Sequence, residues 1–217
     1  MNRARVPAAE ALARLREGNE RFVAADRCID TYLSHTKLDA HLEGQAPHAI
    51  ILGCSDSRVP VEIIFDAGIG DMFVIRVAGN IVAPSLIGSI EFAAENFGSR
   101  LVVVLGHSGC GAVDATLKSL GKPARGTSTN VYSIIEAIRP SIEPLRSKFK
   151  DEATLLQNAV RANVSASVAS LRHGSATLER LIDEDGLMIV GAEYSLETGE
   201  VDFFEGEQTS DPAGLPT

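Results

Sequence analysis

Two short runs hold the side chains with chemistry in them: Cys54-Ser55-Asp56-Ser57-Arg58 and, further along, His107-Ser108-Gly109-Cys110. Together they supply two thiols, an imidazole and a carboxylate, a full tetrahedral set for zinc. Arg58 stands two residues from Asp56, where its planar fork can compete for the carboxylate through paired hydrogen bonds. That competition separates a catalytic centre from a structural one. A structural zinc keeps four permanent ligands, whereas a hydrolytic one needs a position that can be vacated for water. Asp56 is the ligand able to leave; Cys54, His107 and Cys110 are the others. Taken singly, each residue has a plainer reading: a buried cysteine after a strand, a loop carboxylate capping an amide, a surface arginine. The combination favours a metal.

The elements around these runs place them at one edge of a sheet. Residues 49–53 (AIILG) form a short apolar run of the kind found in a parallel strand buried on both faces, and it ends at Cys54. Residues 101–105 (LVVVL) are charge-free and mostly β-branched, and lead through Gly106 into His107. Both ligand groups therefore stand at carboxyl ends of strands, where open α/β sheets build their sites. A further strand is expected over 72–77 and a helix over 85–96 that closes near Gly98. Helical segments are expected over 111–120 and 130–173, the latter broken near Pro140 and Pro144. Residues 187–194 and 201–204 flank Glu197-Thr198-Gly199-Glu200 as an antiparallel hairpin at the sheet margin. The fold class is α/β: an open, mostly parallel sheet flanked by helices with an antiparallel edge hairpin.

Residues 8–25 place Ala8, Leu12, Leu15 and Phe22 near one face of a helix, an amphipathic segment that needs a partner surface. The 217 residues suit one domain over 1–205 with an N-terminal helical arm, followed by a Gly- and Pro-containing tail over 206–217. A net charge of −9 and a pI near 5.0 argue against nucleic acid or an anionic membrane surface as partner. No apolar run is long enough to span a bilayer, and the charged start is unlike a signal peptide. Three cysteines, two of them at metal-ligand spacing and Cys28 left over, fit a reducing, cytoplasmic setting.

With these residues in view, the chain resembles the β-class carbonic anhydrases. The run Cys54-Ser55-Asp56-Ser57-Arg58-Val59 and the run Gly106-His107-Ser108-Gly109-Cys110-Gly111 match that family's two zinc motifs. Glu17-Gly18-Asn19, Arg21-Phe22, residues 73–78 and the segment ending at Tyr194 extend the similarity to about Phe204. The resemblance implies a zinc enzyme, one ion per subunit, that interconverts carbon dioxide and bicarbonate through zinc-bound hydroxide. It also implies a homo-oligomer, a dimer or tetramer, whose N-terminal helix packs on the neighbouring subunit. Asp56 and Arg58 would act as a gate: Asp56 on the metal closes the site, and Arg58 holding it away opens it. Two thiolates offset the metal's charge, so activity should rise toward alkaline pH.

Within the family, a bicarbonate-regulated type holds the anion with a Trp, an Arg and a Tyr. Arg76 and Tyr194 fall at two of those positions, but Ile51 stands at the Trp position and the chain has no Trp. An open type uses a Gln and two aromatic residues beside the zinc, and Gln45, Phe73 and Phe92 fall there. The resemblance thus implies the open type, with Gln45 donating to a substrate oxygen, the phenyl rings forming a dry wall and Gly111 offering an N–H to an anionic product. Two rivals stand beside this reading: a carbon disulfide or carbonyl sulfide hydrolase on the same ligands, and a non-catalytic zinc protein in which Asp56 never leaves. His35, His41, His48 and His173 are unplaced as proton carriers.

Overall fold

Strands β1 (Ala49–Gly53), β2 (Met72–Arg76), β3 (Leu101–His107), β4 (Met188–Tyr194) and β5 (Val201–Glu205) form one sheet in the order β2-β1-β3-β4-β5. The computed structural model describes residues 5–28, 42, 44–122 and 128–206. The first four strands are parallel and β5 runs antiparallel to β4 at the margin, as the hairpin signals indicate. Every residue of β1 and β3 is buried. Their apolar, branched side chains fit a strand covered on both faces, and each fully buried Ile, Leu or Val contributes about 1.5–3 kcal/mol. Strand order reverses between β1 and β3, so their carboxyl ends open onto the crevice in which such sheets bind ligands.

The helices are α1 (Ala8–Val23), α2 (Val61–Ile64), α3 (Pro84–Asn96), α4 (Gly111–Ser119), α5 (Thr129–Ile142), α6 (Glu152–His173) and α7 (Ala176–Asp185). Alternate side chains of the strands feed opposite layers. Ala49, Ile51, Val103 and Leu105 pack with Leu12 and Leu15 of α1 and with Val61 and Ile64 of α2. Ile50, Leu52, Val102 and Val104 pack with Ile90 of α3, Val164 and Val168 of α6 and Leu178 of α7. A third cluster joins Cys54 and Cys110 to Ile138, Ile142 and Val160, so the two cysteines sit in apolar surroundings.

Three points refine the expectations. The helical stretch over 130–173 breaks at Pro144 as expected, in the 3-10 turn Glu143–Leu145, but not at Pro140, which stays within the last turn of α5. At Pro140 the helix forgoes the N–H bond to the Glu136 carbonyl, and it ends two residues later. Helix α7 was not read from the sequence, although its ends are marked: Ser175 accepts from the Leu178 N–H, and Gly186 closes it at φ 68°. The third point concerns α1, whose apolar face packs on its own chain. Its Ala8, Ala11, Leu12 and Leu15 are buried in the first core layer. Asn19 donates to the carbonyls of Ile64 (3.2 Å) and Gly199 (2.9 Å) and accepts from the Val201 N–H (2.8 Å). Arg21 pairs with buried Asp66 at 2.7 Å. Residues 207–217, expected as a tail, lie outside the described residues, as do His35 and His41.

Gly18 is the reason α1 can come so close. A Cβ there would lie 1.9 Å from the carbonyl oxygen of Phe65, which is backbone and has no soft end to move. Gly18→Ala gains about 1 kcal/mol of helix propensity but forces the helix off the sheet, at the upper end of the roughly 1–3 kcal/mol cost of overpacking. The expected result is a net destabilisation of about 2 kcal/mol, read as a lowered urea midpoint with an unchanged slope. A midpoint at or above wild type would show that α1 is not seated this tightly.

Candidate metal centre

Each donor is delivered by a different structural device. Cys54 follows directly on β1, His107 is the last residue of β3, and Cys110 stands at the N-cap of α4. The intervening turn passes through Gly109 at φ 65°, a left-handed conformation that a glycine adopts at no steric cost. Ser108 fastens this turn to the hairpin: its N–H donates to the Tyr194 carbonyl and its hydroxyl accepts from the Leu196 N–H, both at 2.9 Å. The ligand atoms of Cys54, His107 and Cys110 lie within 4.8 Å of one another, and all three residues are buried. This is the spacing that a single ion with ligand bonds near 2.0–2.3 Å would span.

The imidazole is oriented for the same task. His107 Nδ1 lies 3.0 Å from the Ser108 carbonyl, which fixes the proton on that nitrogen. Its Nε2 is fully buried and has no hydrogen-bond partner among the described residues. An unpaired buried lone pair facing two thiols fits a metal ligand, since such a group is costly otherwise. The thiols are coupled. Cys54 is held low chiefly by a hydrogen bond from Cys110, with burial opposing and His107 and the Gly79 N–H assisting. Cys110 is pushed up by the same bond and by burial. Burial disfavours the His107 imidazolium, yet the adjacent Cys54, with the Ser108 carbonyl and the Asp56 charge assisting, carries its pKa above the ordinary value.

Asp56 and Arg58 form the bidentate pair that their spacing indicates. Arg58 Nε donates to Oδ1 at 3.0 Å and Nη2 to Oδ2 at 2.7 Å, and the Arg58 backbone N–H also donates to Oδ1 at 2.9 Å. These bonds hold the carboxyl well below the usual carboxylate range. Oδ2 of Asp56 lies 3.9 Å from His107 Nε2. The carboxylate is therefore beside the three donors and held back from them. Arg76 fastens the loop from the neighbouring strand, its Nε donating to the Cys54 carbonyl at 2.9 Å and its Nη2 to the Asp56 carbonyl at 2.6 Å. At the position where the resemblance implies an anion-binding arginine, this chain has a loop clamp. Ile51 is wholly buried in the core, and Tyr194 is buried opposite His107 in the β3–β4 register.

Within one copy of the chain, Gln45, Phe73 and Phe92 lie away from these donors. Phe73 pairs with Ile50, four residues before Cys54, about 13 Å along the strand. Phe97 stands 5.9 Å from the Phe73 ring and 5.6 Å from that of Phe92, so the three rings gather toward the amino edge of the sheet. Gln45 is exposed ahead of β1, and Phe92 is 52% exposed. Residue identity matched a role without saying which copy of the chain it serves. Gly111, by contrast, is the first residue of α4, next to Cys110.

Of the histidines, His173 ends α6 and is exposed, and His48 precedes β1, its N–H donating to the Asp71 carbonyl. Burial lowers the His48 pKa from its ordinary value, Asp71 partly opposing. The unfolded chain then takes up a proton at a higher pH than the fold does, so stability is full above the unfolded value near 6.5 and declines below it. Urea midpoints at about pH 7.5 and about pH 5.5 should differ less in His48→Gln than in wild type; an equal difference would mean His48 is not the group responsible.

The comparisons with known proteins agree with this site. The family model described as carbonic anhydrase matches residues 49–201. Carbonic anhydrase 2 of Mycobacterium tuberculosis is 40% identical over 187 residues, 85% of this chain and 87% of that protein. A solved β-carbonic anhydrase of Aspergillus fumigatus superposes with a TM-score of 0.71 at 25% identity, covering 94% of this chain and 93% of that one. One of two tetrameric β-carbonic anhydrases from Sordaria macrospora gives 0.67 at 26% identity, covering 80% and 91%. The chain belongs to the β-carbonic anhydrase family.

Proposed function

We propose that the chain catalyses the reversible hydration of carbon dioxide to bicarbonate and a proton on one zinc ion held by Cys54, His107 and Cys110, with Asp56 and Arg58 as its working dyad. The observation that carries this is the three buried donors with a carboxylate held 3.9 Å from His107 Nε2 by an arginine fork. Bound there, zinc would supply a Lewis acid that lowers the pKa of water, less strongly than a site with only neutral ligands because two thiolates offset its charge. The chain's residues do the rest. The two cysteines bring negative charge to the ion, Ser108 fixes the His107 tautomer, and Asp56 accepts a hydrogen bond that orients the attacking water. Arg58 keeps Asp56 in that accepting role, and the Gly111 N–H at the start of α4 meets the negative charge that develops on the product.

Gln45, Phe73 and Phe92 enter this reading only through a second copy of the chain, because they stand toward the other end of the strands from their own donors. A homo-oligomer would supply them in trans, and a tetrameric relative supports that assembly. Sedimentation should therefore give at least a dimer. Three free cysteines, two of them ligands as thiolates, support a reducing compartment, and no helix among the described residues is long and apolar enough to cross a membrane. Stopped-flow carbon dioxide hydration by the zinc-loaded protein tests the activity. Turnover would support the reading, and none with full zinc would turn it toward a sulfur-containing substrate.

A further inference from the structure

Helix α6 has two polar side chains one turn apart in an otherwise apolar stripe. Asn163 is 2% exposed and Ser167 5%, among buried Ala159, Val160, Val164 and Val168. Such groups are tolerated when hydrogen-bonded, and both are. Asn163 Nδ2 donates to the Gly79 carbonyl at 2.7 Å, and Ser167 Oγ donates to the Asn80 carbonyl at 3.1 Å. The turn they grip, Ala78–Asn80, follows β2, and the Gly79 N–H donates to Cys54 Sγ at 3.4 Å. Gly79 sits at φ 70°. A Cβ there would lie 2.7 Å from Ile138 Cδ1 and 3.1 Å from Ala112 Cβ, so side chains of α5 and α4 also close on the turn. Gly79 is thereby fixed at its carbonyl, at its Cα and at its N–H.

We propose that Asn163 is a positioning residue of the metal centre: by holding the Gly79 carbonyl, it aims the Gly79 N–H at the Cys54 thiolate and draws charge off that sulfur. With two thiolate ligands the ion is electron-rich, and a hydrogen bond to one sulfur restores part of its Lewis acidity. The inference rests on Cys54 being a ligand, and its test separates the two. The cobalt(II)-substituted enzyme reports the thiolate directly through its sulfur-to-metal charge-transfer band. In Asn163→Leu, which keeps the volume and loses the donor, that band should move to longer wavelength and kcat/KM should fall on the order of 10-fold. Ser167→Ala, which releases only the Asn80 carbonyl, should leave the band in place. If the leucine variant does not fold, Asn163→Ala is read in the same way. A folded Asn163 variant with an unmoved band overturns the proposal. Absence of any thiolate band in the wild type would instead overturn the metal assignment itself.

Discussion

Arg58→Ala will lower kcat/KM for carbon dioxide hydration by on the order of 10²–10³-fold while zinc content stays full, because the residue holds a preorganised acceptor and binds no metal itself. Its three hydrogen bonds to the Asp56 carboxylate, two from the guanidinium and one from its backbone N–H, span 2.7–3.0 Å. Only the backbone bond survives the substitution, and it leaves Oδ2 without a partner 3.9 Å from His107 Nε2. A free carboxylate at that distance turns readily into the fourth ligand position, where it displaces water. Arg58→Lys keeps the charge but not the fork, so it should recover only part of the rate. Zinc analysis with stopped-flow hydration distinguishes the outcomes. Unchanged hydration in the alanine variant would remove the dyad from the mechanism and leave Asp56 an ordinary loop carboxylate.

The three donors and the Asp56–Arg58 pair were legible because these residues are close in sequence and rare in combination. Cys54, Asp56 and Arg58 lie within one loop, and His107 and Cys110 within another, each following an apolar run that reads as a buried strand. Strand ends placed both motifs at the carboxyl edge before any coordinates were needed, and β1 and β3 are indeed neighbours. The β4–β5 hairpin was legible for a similar local reason, a turn sequence between two short apolar runs. The supporting shell was not legible. Arg76 reaches the loop carbonyls across a strand pair, Asn163 reaches Gly79 from a distant helix, and neither contact leaves a local pattern. Long-range hydrogen bonds to backbone depend on where elements pack, which periodicity does not report.

Position along a strand separates the residues that stand beside their own chain's donors from those that do not. Phe73 is the second residue of β2, so its distance from the carboxyl edge follows from strand geometry alone, yet a family role suggested the pocket. The amphipathic pattern of α1 demanded a partner, and Gly18 and Asn19 seat one side of it within the chain. A small residue and an amide on the apolar side of a helix mark a close backbone approach, which was a readable signal.

Removing the metal will abolish hydration and leave the fold standing. The donors are positioned by elements that need no ion: β1 and β3 are fully buried, Cys54 and Cys110 share a cluster with Ile138, Ile142 and Val160, and Arg76 clamps the loop. A structural zinc of the kind found in small domains supplies the folding energy itself, whereas here two core layers supply it. Binding adds stability by mass action, about 4 kcal/mol when free zinc exceeds its Kd a thousandfold. Chelation should therefore lower Tm by on the order of 10 °C and leave the far-UV circular dichroism unchanged. Cys54→Ser should behave like the stripped protein and fail to recover activity when zinc is restored, since it lacks the thiolate. If chelation instead collapses the circular dichroism, the metal is a staple for these loops, and the catalytic reading of Asp56 and Arg58 falls with it.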